Sequence, residues 1–166
     1  TRKAHMEPVK VIIEIPAGSS IKYEIDKKDN ILMVDRFLHT AMYYPFNYGY
    51  VPGTLADDGD ATDVLVLSSM KVAPGVGIKA QVIGMLEMED EAGVDSKLIA
   101  VPTEKIDPVY GAWKEIGDVP EHYQNMMKHF FEHYKDLEPG KWVKAKGFLG
   151  REAAEKEIEQ DLARAK

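Results

Sequence analysis

A chain of 166 residues with 45% hydrophobic and 30% charged content has the make-up of one well-filled globular domain, expected to span 1–166, and is short for two. No apolar run approaches the roughly 20 residues that cross a bilayer, and Thr1 to Pro8 lacks the apolar core of a secretory signal, so a cytoplasmic protein with no membrane partner is expected. The formal charge of −7, from 28 acidic and 21 basic residues, argues against a general nucleic-acid backbone binder, and the absence of cysteine excludes disulfides, thiolate metal sites and cysteine nucleophiles.

Val9, Val11, Ile13 and Ile15 share one face of a strand at period two, which leaves Glu14 on the other face before Pro16-Ala17-Gly18 ends it. Ile21 to Ile25 alternates in the same way and puts Lys22 and Glu24 together on its polar side. The polar turn Lys27-Lys28-Asp29-Asn30 then leads into Ile31 to Arg36 as the returning strand of a hairpin. Met42 to Gly53 is rich in aromatics but broken by two prolines and two glycines, which predicts a loop with a large buried area, Tyr43 and Tyr50 packed in the core. Four carboxylates follow within seven residues, Asp57, Asp58, Asp60 and Asp63, with Gly59 free to turn the backbone tightly between them.

Val64 to Leu67 is a continuous apolar run of buried-strand length, and Pro74 to Gly77 is a turn. Ile78 to Met88 alternates as a long strand into a second acidic segment, Glu87 to Asp95, which the return of Lys97 to Val101 places at a hairpin tip. Beyond Pro102 the period changes. Asp118 and Glu121 read as a capping box for a helix with Tyr123, Met127, Phe130 and Tyr134 on its apolar stripe, stopped by Glu138-Pro139-Gly140. Trp142 to Phe148 can return to the sheet, and Arg151 to Ala165 reads as a second helix with Ala154, Ile158 and Leu162 inward. Strands early and helices late predict an α+β domain, mainly β: a small closed or partly closed barrel with the helices packed outside.

Carboxylate oxygens are the ligands that hard cations such as Mg²⁺ prefer, so the loop from Ala56 to Asp63 is read as a metal site; a solvated turn of Asp and Gly is the plainer alternative. It is no EF-hand, because alignment from Asp58 puts Asp63 where a glycine is needed and Ser69 where a bidentate glutamate is needed. His129-x-x-Glu132-His133 matches an inverted zinc-peptidase pattern, yet no convincing third ligand follows in the last 33 residues, so a helix flank is the better reading. The aromatic loop could serve as a base-stacking platform on an OB-type barrel, but such grooves are basic and this one adjoins the acidic loop. No P-loop surrounds Gly140-Lys141-Trp142. What remains is a mixed inventory: carboxylates at Asp58, Asp60, Asp63, Asp90 and Asp95 suited to divalent cations, and Lys22, Arg36, Lys97, Lys135, Tyr48 and Tyr134 suited to phosphoryl oxygens.

Seven ordered motifs carry a family resemblance from Glu7 almost to the end of the chain. They are Val11 to Pro16, Ile21-Lys22-Tyr23-Glu24, Val34-Asp35-Arg36, Tyr44-Pro45-x-Asn47-Tyr48-Gly49-Tyr50, Asp58-Gly59-Asp60-x-x-Asp63, Asp90-Glu91-Ala92-Gly93-x-Asp95-x-Lys97, and His133-Tyr134-Lys135. The chain resembles a soluble inorganic pyrophosphatase of the family I type, in its short prokaryotic form. One departure is that the signature usually has proline and an apolar residue where Ala61 and Thr62 stand here.

The resemblance implies a five-stranded, OB-like closed barrel with two main helices, hydrolysis of pyrophosphate to two phosphates, several Mg²⁺ ions per active site, and a homohexamer. By the motif match, Asp58, Asp63 and Asp95 would hold the metals flanking the attacking water, Asp90 and Asp95 a further one, and Glu14 would act through water. Asp60 would be the general base, and Lys22, Arg36, Tyr48, Lys97, Tyr134 and Lys135 would clamp the phosphates, with Glu24 orienting Lys22. A single-strand nucleic-acid-binding barrel and an inactive metal-binding domain are the alternatives.

Overall fold

Apolar alternation punctuated by glycine and proline turns builds nine strands over residues 5–166, the part of the chain that the computed structural model describes. They are β1 (Val9–Ile15), β2 (Ile21–Asp26), β3 (Ile31–Phe37), β4 (Asn47–Val51), β5 (Thr62–Val66), β6 (Gly77–Asp90), β7 (Gly93–Val94), β8 (Lys97–Pro102) and β9 (Val143–Leu149). Two helices, α1 (Glu121–His133) and α2 (Arg151–Arg164), flank β9 in sequence. No helix among the described residues is long and apolar enough to cross a membrane.

The strands pair in the order β1, β4, β5, β8, β6, and β6 then returns to β1 with Val9 opposite Ala80 and Ile12 opposite Gly77. Only β5 and β8 run parallel within that ring, Val64 facing Leu98 and Val66 facing Ala100. β7 and β9 add to the far part of β6, while β2 and β3 form a separate hairpin. The chain is therefore mainly β with two helices, as expected, and the ring runs through five strands, with β2, β3, β7 and β9 outside it.

The ring strands β5 and β8 are covered on both faces. Val64 and Val66 of β5 join Ala154 and Ile158 of α2 in one apolar cluster, whereas Leu65 joins Met127, Phe130 and Phe131 of α1 in another. A strand covered on both sides has no need to alternate, which is why this stretch reads as an unbroken apolar run.

Two local expectations are corrected. Val9, Val11, Ile13 and Ile15 do not stay on one face, because the pairing of β1 with β4 shifts register between Ile13 and Ile15. Val11 and Ile13 pack with α2, Ile15 packs with the α1 cluster, and Glu14 is buried between them. Asp118 does not cap α1 either. Its carboxylate accepts the N–H groups of Lys114 and Glu115 at 2.8 and 3.1 Å, closing the short helical turn Ile116–Asp118, and Pro120 occupies the N-cap of α1. A proline there supplies a fixed φ in place of a side-chain acceptor.

Close approach of β4 to β1 explains Gly49. A Cβ at this position would lie 1.9 Å from the backbone carbonyl oxygen of Ile12, so the strand that carries Tyr48 and Tyr50 can reach β1 only without a side chain here.

Candidate functional site

A cavity of about 770 Å³ opens where the β2–β3 hairpin, the acidic loop before β5, the β6–β7 tip and the segment after α1 converge. Its lining includes all twelve residues singled out in the sequence: Glu14, Lys22, Arg36, Tyr48, Asp58, Asp60, Asp63, Asp90, Asp95, Lys97, Tyr134 and Lys135. Nine acidic and six basic side chains face this one space. A small anion entering alone would meet a wall of net negative charge.

Lys97 is the centre of the arrangement. It is 3% exposed, and its ammonium donates to Tyr48 Oη at 2.9 Å, Asp63 Oδ2 at 2.8 Å and Asp95 Oδ1 at 3.0 Å, which uses all three of its protons. Burial alone would discharge this amine, but Asp63, Tyr48 and Asp95 outweigh it and hold the pKa well above its ordinary value. The Phe131 ring, 5.8 Å from the nitrogen, adds cation–π attraction. Tyr44, Phe130 and Tyr134 extend this aromatic floor, the last two stacked at 4.9 Å. Burial pushes the Tyr134 phenol up to about 12, so it stays a neutral donor at any working pH.

The other basic groups are also pinned by carboxylates. Lys22 lies 3.7 Å from Glu24 and 3.6 Å from Asp35; Arg36 bonds Asp35 beside it and Glu138 at 3.2 Å; Lys135 reaches Asp90 at 3.4 Å. Such pairing aims four cations into the cavity at fixed angles while cancelling part of their charge. Asp60 is more open, held at 3.3 Å by Lys27, and its own N–H bonds Asp58 Oδ1 at 2.9 Å, which ties the loop into its turn.

The carboxylates suit hard cations by donor type and by electrostatic need. Burial, with added repulsion from Asp63 and Glu24, pushes Glu14 up to about 7 despite the hydrogen bond from Ile25 N–H at 2.9 Å. Asp58 is raised by burial and by Asp63, Asp60 and Asp95. Groups whose ionisation is opposed by crowding regain it when a cation arrives. Among the described residues no three His, Asp or Glu side chains are gathered tightly enough to enclose an ion. The Lys97 contacts account for that: its ammonium draws Asp63 and Asp95 to itself, standing as the countercharge between them.

Several functional neighbours escaped the sequence. The stretch expected as a loop carries strand β4, where pairing with β1 and β5 takes up the backbone; Tyr43 before it is 56% exposed and Tyr50 lines the cavity, so the buried tyrosines there are Tyr44 and Tyr48 instead. Glu138 reads in the sequence only as part of a helix stop, and its partner Arg36 lies 102 residues away, a separation no local pattern bridges. Asn47 is a buried strut: its Oδ1 accepts the N–H of Ala17 and of Val72 while its Nδ2 donates to Ser68 Oγ at 2.8 Å. His133 bonds Asp136 at 2.8 Å on an exposed flank, as the helix-flank reading anticipates.

A cavity that sets paired cations and phenols opposite crowded carboxylates defines a protein that handles a small, highly charged anion. Comparison with known proteins agrees and goes further. Residues 11–166 match the family described as inorganic pyrophosphatase. The inorganic pyrophosphatase of Aquifex pyrophilus is 58% identical over 156 residues, which is 94% of this chain and 88% of that protein. That of Aeropyrum pernix is 53% identical over 158 residues, 95% of this chain and 90% of that one. Among solved structures, an inorganic pyrophosphatase from Coxiella burnetii matches with a TM-score of 0.94 at 48% identity, covering 100% of this chain and 99% of that chain. The chain belongs to the inorganic pyrophosphatase family.

Proposed function

We propose that this protein is an inorganic pyrophosphatase that hydrolyses pyrophosphate to two orthophosphates with Mg²⁺ as its cofactor. The observation that carries the reading is the convergence of all twelve motif residues on one cavity, with its cations already oriented by carboxylate partners. Bound divalent ions would neutralise the phosphoryl oxygens and acidify the attacking water, and Asp58, Asp63, Asp90 and Asp95 would hold them, with Glu14 acting through water. Lys22, Arg36, Tyr48, Lys97, Tyr134 and Lys135 bind and orient the phosphoryl oxygens. For Lys97 this requires exchanging one carboxylate bond for a phosphate bond, since its three protons are all engaged. Asp60 takes the proton of the attacking water as the new P–O bond forms and the bridging P–O bond breaks.

We read the strand ring as an OB-like closed barrel within one domain, and the working protein as a cytoplasmic homohexamer, on the strength of the family resemblance. A base-stacking role needs a basic groove, and nine acidic against six basic side chains face this cavity. An inactive metal-binding domain would share the same carboxylates. Phosphate release from pyrophosphate, followed as Mg²⁺ is titrated in and then stripped by excess chelator, distinguishes these readings. Turnover that appears and disappears with the ion is expected. Ion binding without turnover would assign the inactive domain, and full turnover in chelator would contradict the metal-dependent mechanism.

A further inference from the structure

The acidic loop is fastened at both ends to one turn of α2, and the fastening involves a residue at which this chain departs from the signature. Asp161 is fully buried, and its Oδ2 accepts the hydroxyl of Thr62 at 2.7 Å. Its backbone carbonyl accepts the N–H of Leu55 at 2.9 Å, and Arg164, bonded to Asp161 Oδ1 at 2.8 Å, donates to the carbonyl of Leu55 at 2.8 Å. Thr62 N–H completes the clasp by donating to Thr54 Oγ1 at 2.9 Å. Arg164 also lies 3.1 Å from Asp57, but both side chains are solvated and that contact carries little.

We propose that Asp161 is a positioning residue which, through the hydroxyl of Thr62, latches the loop and aims Asp58, Asp60 and Asp63 into the cavity. Side chains alternate along a strand, so Thr62 pointing at α2 sends Asp63 to the opposite side, where Lys97 meets it at 2.8 Å. Fixing one fixes the other. An apolar residue at position 62 leaves the buried Asp161 carboxylate short of a partner, and a buried hydrogen bond to a charged acceptor is among the costlier ones to lose. The role assigned to the three aspartates rests on the pyrophosphatase reading, whereas the latch itself rests on contacts alone.

The test compares the unchanged protein with Thr62→Val, Thr62→Ser and Asp161→Asn, reading amide hydrogen exchange in chelator and then the Mg²⁺ concentration for half-maximal pyrophosphate turnover. Thr62→Val is expected to speed exchange across Leu55 to Asp63 by about tenfold or more while leaving β6 and β8 unchanged. It should also raise half-saturating Mg²⁺ by about tenfold, the lower range for groups that orient metal ligands. Thr62→Ser, which retains the hydroxyl, should restore both, and Asp161→Asn, which retains an acceptor, should fall between. Unaltered exchange in Thr62→Val, or acceleration spread evenly over the whole sheet, overturns the latch. A wild type without turnover overturns the proposed function instead, and leaves the exchange result to decide the latch by itself.

Discussion

Lys97 is the residue on which the site balances, since a buried ammonium with three bonds is stable only while Asp63 and Asp95 are ionised beside it. Lys97→Met should therefore destabilise the metal-free protein by about 3 kcal/mol or more, the usual penalty for breaking a buried pair. Added Mg²⁺ should recover much of that loss by replacing the missing positive charge, and thermal melts with and without the ion measure both effects. Asp63 and Asp60 separate in a different way. Asp63→Asn should weaken metal binding and be partly offset by raising Mg²⁺, whereas Asp60→Asn should lower turnover by about 10² to 10⁴ with no such recovery. Steady-state rates across a Mg²⁺ titration check the pair, and recovery of Asp60→Asn with metal would make it a ligand.

At the scale of the elements, hairpins and helices deliver these residues, and small contacts hold the elements to each other. Burial would raise the Asp107 carboxyl, but the N–H groups of Ser69, Tyr110 and Val109 and the hydroxyl of Ser69 bond it and hold its pKa below the ordinary 3.8. A depressed folded value contributes stability above the unfolded pKa and loses it as pH falls through the folded one. Asp107→Asn should accordingly cost about 2 kcal/mol at neutral pH. The difference from wild type should shrink below about pH 4, as denaturant midpoints taken along a pH series would show. Gly49→Ala should cost about 3 kcal/mol by the same measurement, because the clash at Ile12 is with backbone and cannot rotate away.

The hairpin β2–β3, the long strand β6 and the acidic tip before β7 were legible in the sequence because each announces itself by alternation and a turn. The register shift in β1 was not, since a bulge leaves no residue-type mark on Val11 to Ile15. Nor was the latch between Thr62 and Asp161, 99 residues apart, because each looks locally like an ordinary strand or helix position. The candidate site residues stand in ordered motifs that the sequence displays; Glu138, the partner of Arg36, belongs to tertiary pairing and needed the fold.

At the scale of the whole molecule, a protein of formal charge −7 that works on a polyanion has to reverse the sign of its own field locally. Four of the exposed apolar side chains, Ile31, Met33, Val34 and Phe37, share β3. A hexamer predicts sedimentation at six times the chain mass, and a monomer at assay concentration would contradict it. Under the proposed metal dependence, the acidic cavity takes its substrate only through divalent cations. Calorimetric titration with imidodiphosphate, a pyrophosphate analogue whose bridging nitrogen resists hydrolysis, tests that claim without any chemistry intervening. Binding is expected with Mg²⁺ and none is expected in excess chelator; equal affinity under both conditions would mean that the protein's own cations suffice and that no metal bridge is needed.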